Sequence, residues 1–259
     1  MASERRFLGV AALLFAASTA VTIAWCASMP DTCDLPMPGD WTLSMAWMRM
    51  PGQSWLAAAA SFLSMWVVMM VAMMLPSLVP MLRRYRQAAG GSRATSLGWR
   101  TALVGAAYFL VWTLWGVAAF PLGVALAAVE MRQPALARAV PIAVGAVVVL
   151  AGARQFSAWK ARALACCRES PGPGRTLSPD AGTAWRHGLR LGFQCSRCCA
   201  GLTAALLVLG VMDLRAMAVV TAATTVERLE PAGERVARAI GAVVVASGLY
   251  LVARAAGVG

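Results

Sequence analysis

The chain has 259 residues, 60% of them hydrophobic and 13% charged, against about 45–50% and about 25% in soluble domains. That balance excludes an ordinary water-soluble enzyme and predicts an integral membrane protein, because apolar runs long enough to cross a bilayer recur along the sequence. The net charge of +12 is read as arginine gathered on one side of a membrane, so lipid and not nucleic acid is the expected surroundings.

Arg5 and Arg6 precede a first apolar run at 7–24. Its 18 residues exceed a signal-peptide core of about 7–15, so a retained anchor is expected. Residues 27–54 form an outer loop carrying Asp31, Asp34 and Asp40. Further spans are expected at 55–82, 101–128, 139–159, 191–212, 214–229 and 236–253, with basic inner loops at 83–100 and 160–190.

The segment 214–229 is short: its 16 residues reach about 24 Å, less than a hydrocarbon core of about 30 Å. Charge decides how to read it. Counted as a span, it leaves 16 basic residues on inner segments and five on outer ones; counted as a re-entrant dip, the figures become 13 and eight. The positive-inside rule therefore prefers seven spans over six, with the N-terminus in and the C-terminus out. The expected architecture is an all-α, polytopic transmembrane helix bundle, a single domain over 1–259 in a bacterial inner membrane, with a homo-oligomer left open. Gly105, Gly116, Gly123, Gly145, Gly152, Gly241 and Gly248 recur at spacings that let helices approach closely.

The residue inventory narrows the chemistry. His187 is the single histidine and Lys160, placed in a loop, the single lysine. A two-histidine haem, a histidine-rich zinc site and a Ser-His-Asp triad lack their residues, a retinal Schiff base lacks its lysine within a span, and no nucleotide-binding glycine loop is present. What remains is sulfur.

Met65, Met69 and Met73 share one helix face in the second span, and Met70 and Met74 form an adjoining stripe. Such residues serve as flexible apolar filler or as soft thioether ligands suited to copper(I). In the fifth span Cys195, Cys198 and Cys199 fall at i, i+3, i+4, turning three thiols one way. They can pack a helix interface, hold a metal, or carry dithiol redox chemistry. Counted from the span midpoints, Met73 and Met74 lie about 6–8 Å, and Cys198 and Cys199 about 5–6 Å, toward the inner side. Adjacent helices would bring the two sets into one layer.

Arg197 and Glu227 are intramembrane charges expected to pair or to line a polar cavity, where Arg197 would lower the thiol pKa values, or else to snorkel to the inner interface. Pro76 would bend the methionine helix. His187, in the inner loop, is read as a solvated loop residue or as one that hands metal on. The outer loop holds Cys26 and Cys33, readable as a disulfide or, with Met29 and Met37, as soft-metal collectors. Cys166 and Cys167 receive no role.

The run Met69-Met70-Val-Ala-Met73-Met74-Leu-Pro76-Ser77, then His187-Gly188, Gly192, Cys195, Cys198-Cys199 and Gly210-Val-Met212, resembles a bacterial family of metal-binding integral membrane proteins. Glu227-Arg-Leu-Glu-Pro231-x-Gly233 is similar to that family's Glu-Lys-x-x-Pro-x-Gly, and the resemblance covers about 55–251. The family carries Asn and Lys where this chain has Asp213 and Arg228. The methionine spacing is also similar to that of three-span copper importers, by analogy alone.

The reading that follows is a membrane protein handling copper(I), by transport or by delivery to a metallochaperone or copper enzyme, with Met65, Met69, Met70, Met73, Met74, Cys195, Cys198 and Cys199 as ligands. A copper ion is the expected metal, with no nucleotide, no haem and no enzymatic activity read from these residues. The alternatives are a membrane thiol-disulfide oxidoreductase and a non-catalytic assembly subunit.

Overall fold

The computed structural model describes residues 2–28, 35–38, 41–50, 52–89, 94–169, 178 and 180–257. Its elements are α1 (Ala2–Ser28), a two-stranded antiparallel hairpin of β1 (Leu35–Met37) and β2 (Trp41–Leu43), α2 (Trp55–Ala88), α3 (Ala94–Arg132), α4 (Pro134–Arg154), α5 (Ala158–Glu169), α6 (Ala181–Leu209), α7 (Leu214–Leu229) and α8 (Gly233–Ala255). The molecule is an all-α bundle. Among the described residues six helices, α1, α2, α3, α4, α6 and α8, are long and apolar enough to cross a membrane.

Burial is distributed as lipid as solvent would require. Leu13, Leu56, Leu150, Val219 and Val243 are exposed on the outside, which for a protein in water would be a liability. The large residues of α2 are turned inward instead, so that α2 is the central helix and α1 lies on the rim against it. Glu4 of α1 pairs with Arg83 at 2.8 Å, and Arg86 donates to the Ser3 hydroxyl at 2.8 Å. The two helices therefore run antiparallel, with the start of α1 against the end of α2.

Glycine sets the closest approaches. A Cβ on Gly152 would stand 2.7 Å from the Val245 nitrogen and one on Gly248 2.7 Å from the Val149 nitrogen, so α4 and α8 pack backbone to backbone along their length. A Cβ on Gly192 would stand 3.0 Å from the Tyr108 carbonyl, and one on Gly188 would overlap the Val104 carbonyl. That contact fixes α6 against α3. Gly116 and Gly123 make room for the rings of Trp66 and Trp47, while Gly105 faces open space and does not serve the close packing expected of it.

Three boundaries differ from the sequence reading. Residues 160–169, assigned to an inner loop, belong to α5, so Lys160 is helical. The fifth predicted span begins ten residues earlier, at Ala181, where the Asp180 carboxylate caps the helix by accepting from the Thr183 nitrogen at 2.7 Å. Those hydrogen bonds from Thr183 hold the exposed Asp180 carboxyl down at about 2. His187 accordingly lies on a helix and not in a loop. The predicted short segment is the helix α7, entered through Gly210 at φ 133° and the N-cap Asp213. The reason it is short is local: α5 packs beneath its C-terminal end, where Arg168 donates to the Pro231 carbonyl at 3.1 Å.

Candidate metal centre

All five methionines of the two stripes are buried, as are the three cysteines, and they belong to one continuous core. The methionine face therefore looks into the protein and not toward lipid. The two motifs touch: the Cys195 thiol lies 4.0 Å from the Met74 sulfur, 121 residues away in sequence. Pro76, inside α2, leaves the helix without one backbone N–H at that level. The next residue, Ser77, donates its hydroxyl to the Met74 carbonyl at 3.0 Å.

The thiols do not form a cage. Cys195 also meets the Tyr108 hydroxyl at 2.7 Å, Cys198 neighbours Cys167, and Cys199 neighbours Cys195 and Cys198. Among the described residues no three His, Cys, Asp or Glu side chains are set to hold a metal ion. The donor set is thus a mixed one of thiols with a thioether. Such sulfur donors are soft, and soft donors suit copper(I) and not hard cations.

Charged groups close the cluster from two sides. Arg228, at the end of α7, donates to the Cys195 and Cys199 sulfurs at 2.9 and 2.8 Å and to the Ser77 hydroxyl at 2.8 Å. On the other side Lys160 Nζ stands 2.6 Å from Glu227 Oε2 and donates to the Cys198 carbonyl at 2.8 Å. Gln155 donates to the other Glu227 oxygen at 2.6 Å. Burial works to lower the Lys160 pKa, but the neighbouring Cys198 and Glu227 outweigh it and the net shift is upward. A cavity of about 240 Å³, lined in part by Gln155, Lys160, Glu234 and Arg238, opens beside this pair.

Several sequence expectations are corrected. Glu227 pairs with Lys160 and not with Arg197; Arg197 is exposed and lies over the Trp159 ring, which Arg154 also covers. The reason is helical geometry, since position 197 points away from the face shared by 195, 198 and 199. His187 is buried and stacked on Tyr85, and eight residues of helix separate it from Cys195, about 12 Å. Cys26 lies 4.0 Å from the Met212 sulfur, at the end of the bundle remote from Arg228; a Cys26–Cys33 disulfide falls outside the described residues because Cys33 does.

Tyr108, Lys160, Cys167, Ser77 and Arg228 were absent from the sequence-derived site. Lys160 had one available signal, being the single lysine of a chain otherwise furnished with arginine. Arg228 and Ser77 lie within motifs already quoted, whereas Cys167 stood in an adjacent cysteine pair that was given no role.

Residues 63–251 match the PpoB2 family, which is described as a copper chaperone. The chain belongs to this family. The match spans both sulfur motifs, the Lys160–Glu227 pair and Arg228, so every residue of the cluster lies within the PpoB2 portion. No curated protein and no solved structure matches the chain.

Proposed function

We propose that this PpoB2-family chain is a multi-pass protein of the bacterial cell membrane that binds copper(I) and passes it on, by transport or by delivery to a copper enzyme or metallochaperone. Its N-terminus is inside, and α7 is a short seventh span whose inner end is covered by α5. The observation that carries the reading is the meeting of the Cys195 and Met74 sulfurs at 4.0 Å. Copper(I) accepts few ligands when they are soft, so one thioether and neighbouring thiols suffice where a zinc site would need four.

Met65, Met69, Met70 and Met73 offer weak thioether stations along one helix, from which the ion reaches Met74 and the cysteines. Cys195 and Cys199 provide the tighter binding, with Cys198 beside them. Cys26 and Met212 offer a second soft pair at the opposite end. The cavity beside Lys160 provides the inner route. A thiol-disulfide oxidoreductase is less well supported, because exchange requires a sulfur that a partner can reach and Cys195, Cys198 and Cys199 are all buried.

The test is the metal content of the chain purified from copper-fed cells. Copper co-purifies with the wild type and falls when Cys195, Cys198 and Cys199 are changed together to Ser. Copper unchanged by the triple substitution would overturn the proposal.

A further inference from the structure

Arg228 is 5% exposed, and its guanidinium contacts neutral or sulfur groups: Ser77, the Cys195 carbonyl and the thiols of Cys195 and Cys199. Its Nε has no hydrogen-bond partner among the described residues. The adjacent carboxylate, Glu227, is taken up by Lys160 and Gln155. A buried cation without a counter-charge is strongly unfavourable, so the arrangement asks for a negative charge at the sulfurs. We infer that Arg228 is the counter-ion of an anionic metal–dithiolate complex and thereby selects monovalent over divalent soft ions. This rests on the sulfur-centre reading above.

The charge arithmetic gives the selection. When a monovalent ion binds, the Cys195 and Cys199 S–H bonds break, two protons pass to water, and two metal–sulfur bonds form. The product carries one negative charge, and the neutral Met74 thioether does not alter it. Beside Arg228 the sum is zero. A divalent ion with the same ligands gives a neutral complex and leaves Arg228 uncompensated in a medium where charge is poorly screened. The neighbours leave this balance intact: Lys160 and Glu227 cancel, and the Cys198 thiol lies outside the hydrogen-bond contacts of the guanidinium.

The experiment is competition between silver(I) and cadmium(II), both thiophilic and redox-inert, for the full chain in detergent. Wild type prefers silver(I) and releases two protons per silver ion bound. Arg228→Lys keeps the charge and retains the preference. Arg228→Gln lowers the silver-to-cadmium affinity ratio by about a hundredfold, the scale of leaving a buried charge unpaired. An unchanged ratio in Arg228→Gln overturns the inference while leaving the copper reading intact. Silver binding that survives Cys195→Ser with Cys199→Ser overturns the reading itself. If the Gln variant does not fold, wild type and Arg228→Lys decide: a silver(I) preference in both supports the inference, and a cadmium(II) preference in either overturns it.

Discussion

Lys160 Nζ and Glu227 Oε2 stand 2.6 Å apart with side chains 2% and 1% exposed, joining α5 to the C-terminal end of α7 beside the sulfur cluster. Both ions have lost their water. The pair is held by two further hydrogen bonds, from Lys160 to the Cys198 carbonyl and from Gln155 to Glu227, so α5, α6, α7 and the end of α4 are tied at one point.

Removing one member of this pair leaves the other charged and unpartnered. Glu227→Gln or Lys160→Met is expected to cost about 3–5 kcal/mol, read as a lowered thermal unfolding midpoint in detergent. The double variant Lys160→Met with Glu227→Gln recovers a large part of that loss, because no orphan charge remains. A double variant no more stable than the worse single one would show that the pair is held by packing and not by charge.

Met74→Leu separates the ligand role of the thioether from its packing role. Leu nearly conserves the volume, so stability changes by under about 1.5 kcal/mol. Copper(I) affinity falls by at least about tenfold, the lower bound for loss of an outer-shell partner. Met65→Leu serves as the control: nine residues of helix, about 13.5 Å, separate it from Met74. Its loss slows uptake and leaves the equilibrium affinity unchanged, which a competition titration with a copper(I) chelator measures.

Asp213 has a structural role that Asn would also fill. Its carboxylate caps α7, accepting from the Arg215 and Ala216 nitrogens at 2.8 and 3.1 Å. Asn caps about as well as Asp, so Asp213→Asn is expected to be neutral. Asp213→Ala costs about 0.5–2 kcal/mol. Thermal unfolding of the three chains orders them, and a destabilised Asn variant would point to a role for the charge itself.

The parts legible in the sequence were those with a period. Apolar runs marked the six long helices, and the i, i+3, i+4 and i, i+4, i+8 spacings placed the cysteines and methionines on faces that the fold buries together. What periodicity does not encode is which helix lies beside which, and the polar partners depend on that. Lys160 lay in a stretch too polar to be read as a span, because α5 is a short helix packed under α7 and not a crossing one. Arg197 was paired with Glu227 on proximity in sequence to the thiols, although two residues along a helix is a turn of about 200° away from Cys195.

The α4–α8 contact gives the most direct test of the packing. Gly145 and Gly152 face Gly248 and Gly241 across it, each pressed on the partner backbone as well as on its side chains, so an added side chain at any of them has backbone to displace. Small residues allow apolar helices to associate by close van der Waals contact, and this interface carries no side-chain hydrogen bond among the described residues to compensate for separation. Gly248→Val is expected to part the helices and to destabilise by about 1–3 kcal/mol or more, the cost of overpacking. Gly105→Val, where open space surrounds the added carbon, leaves the unfolding midpoint close to wild type. Copper content follows the same order, because α8 begins at Gly233, where a Cβ would overlap the Glu227 carbonyl, and moving α8 disturbs the end of α7 that carries Arg228. A Gly248→Val chain that melts at the wild-type temperature would mean that the two helices are not packed through their glycines.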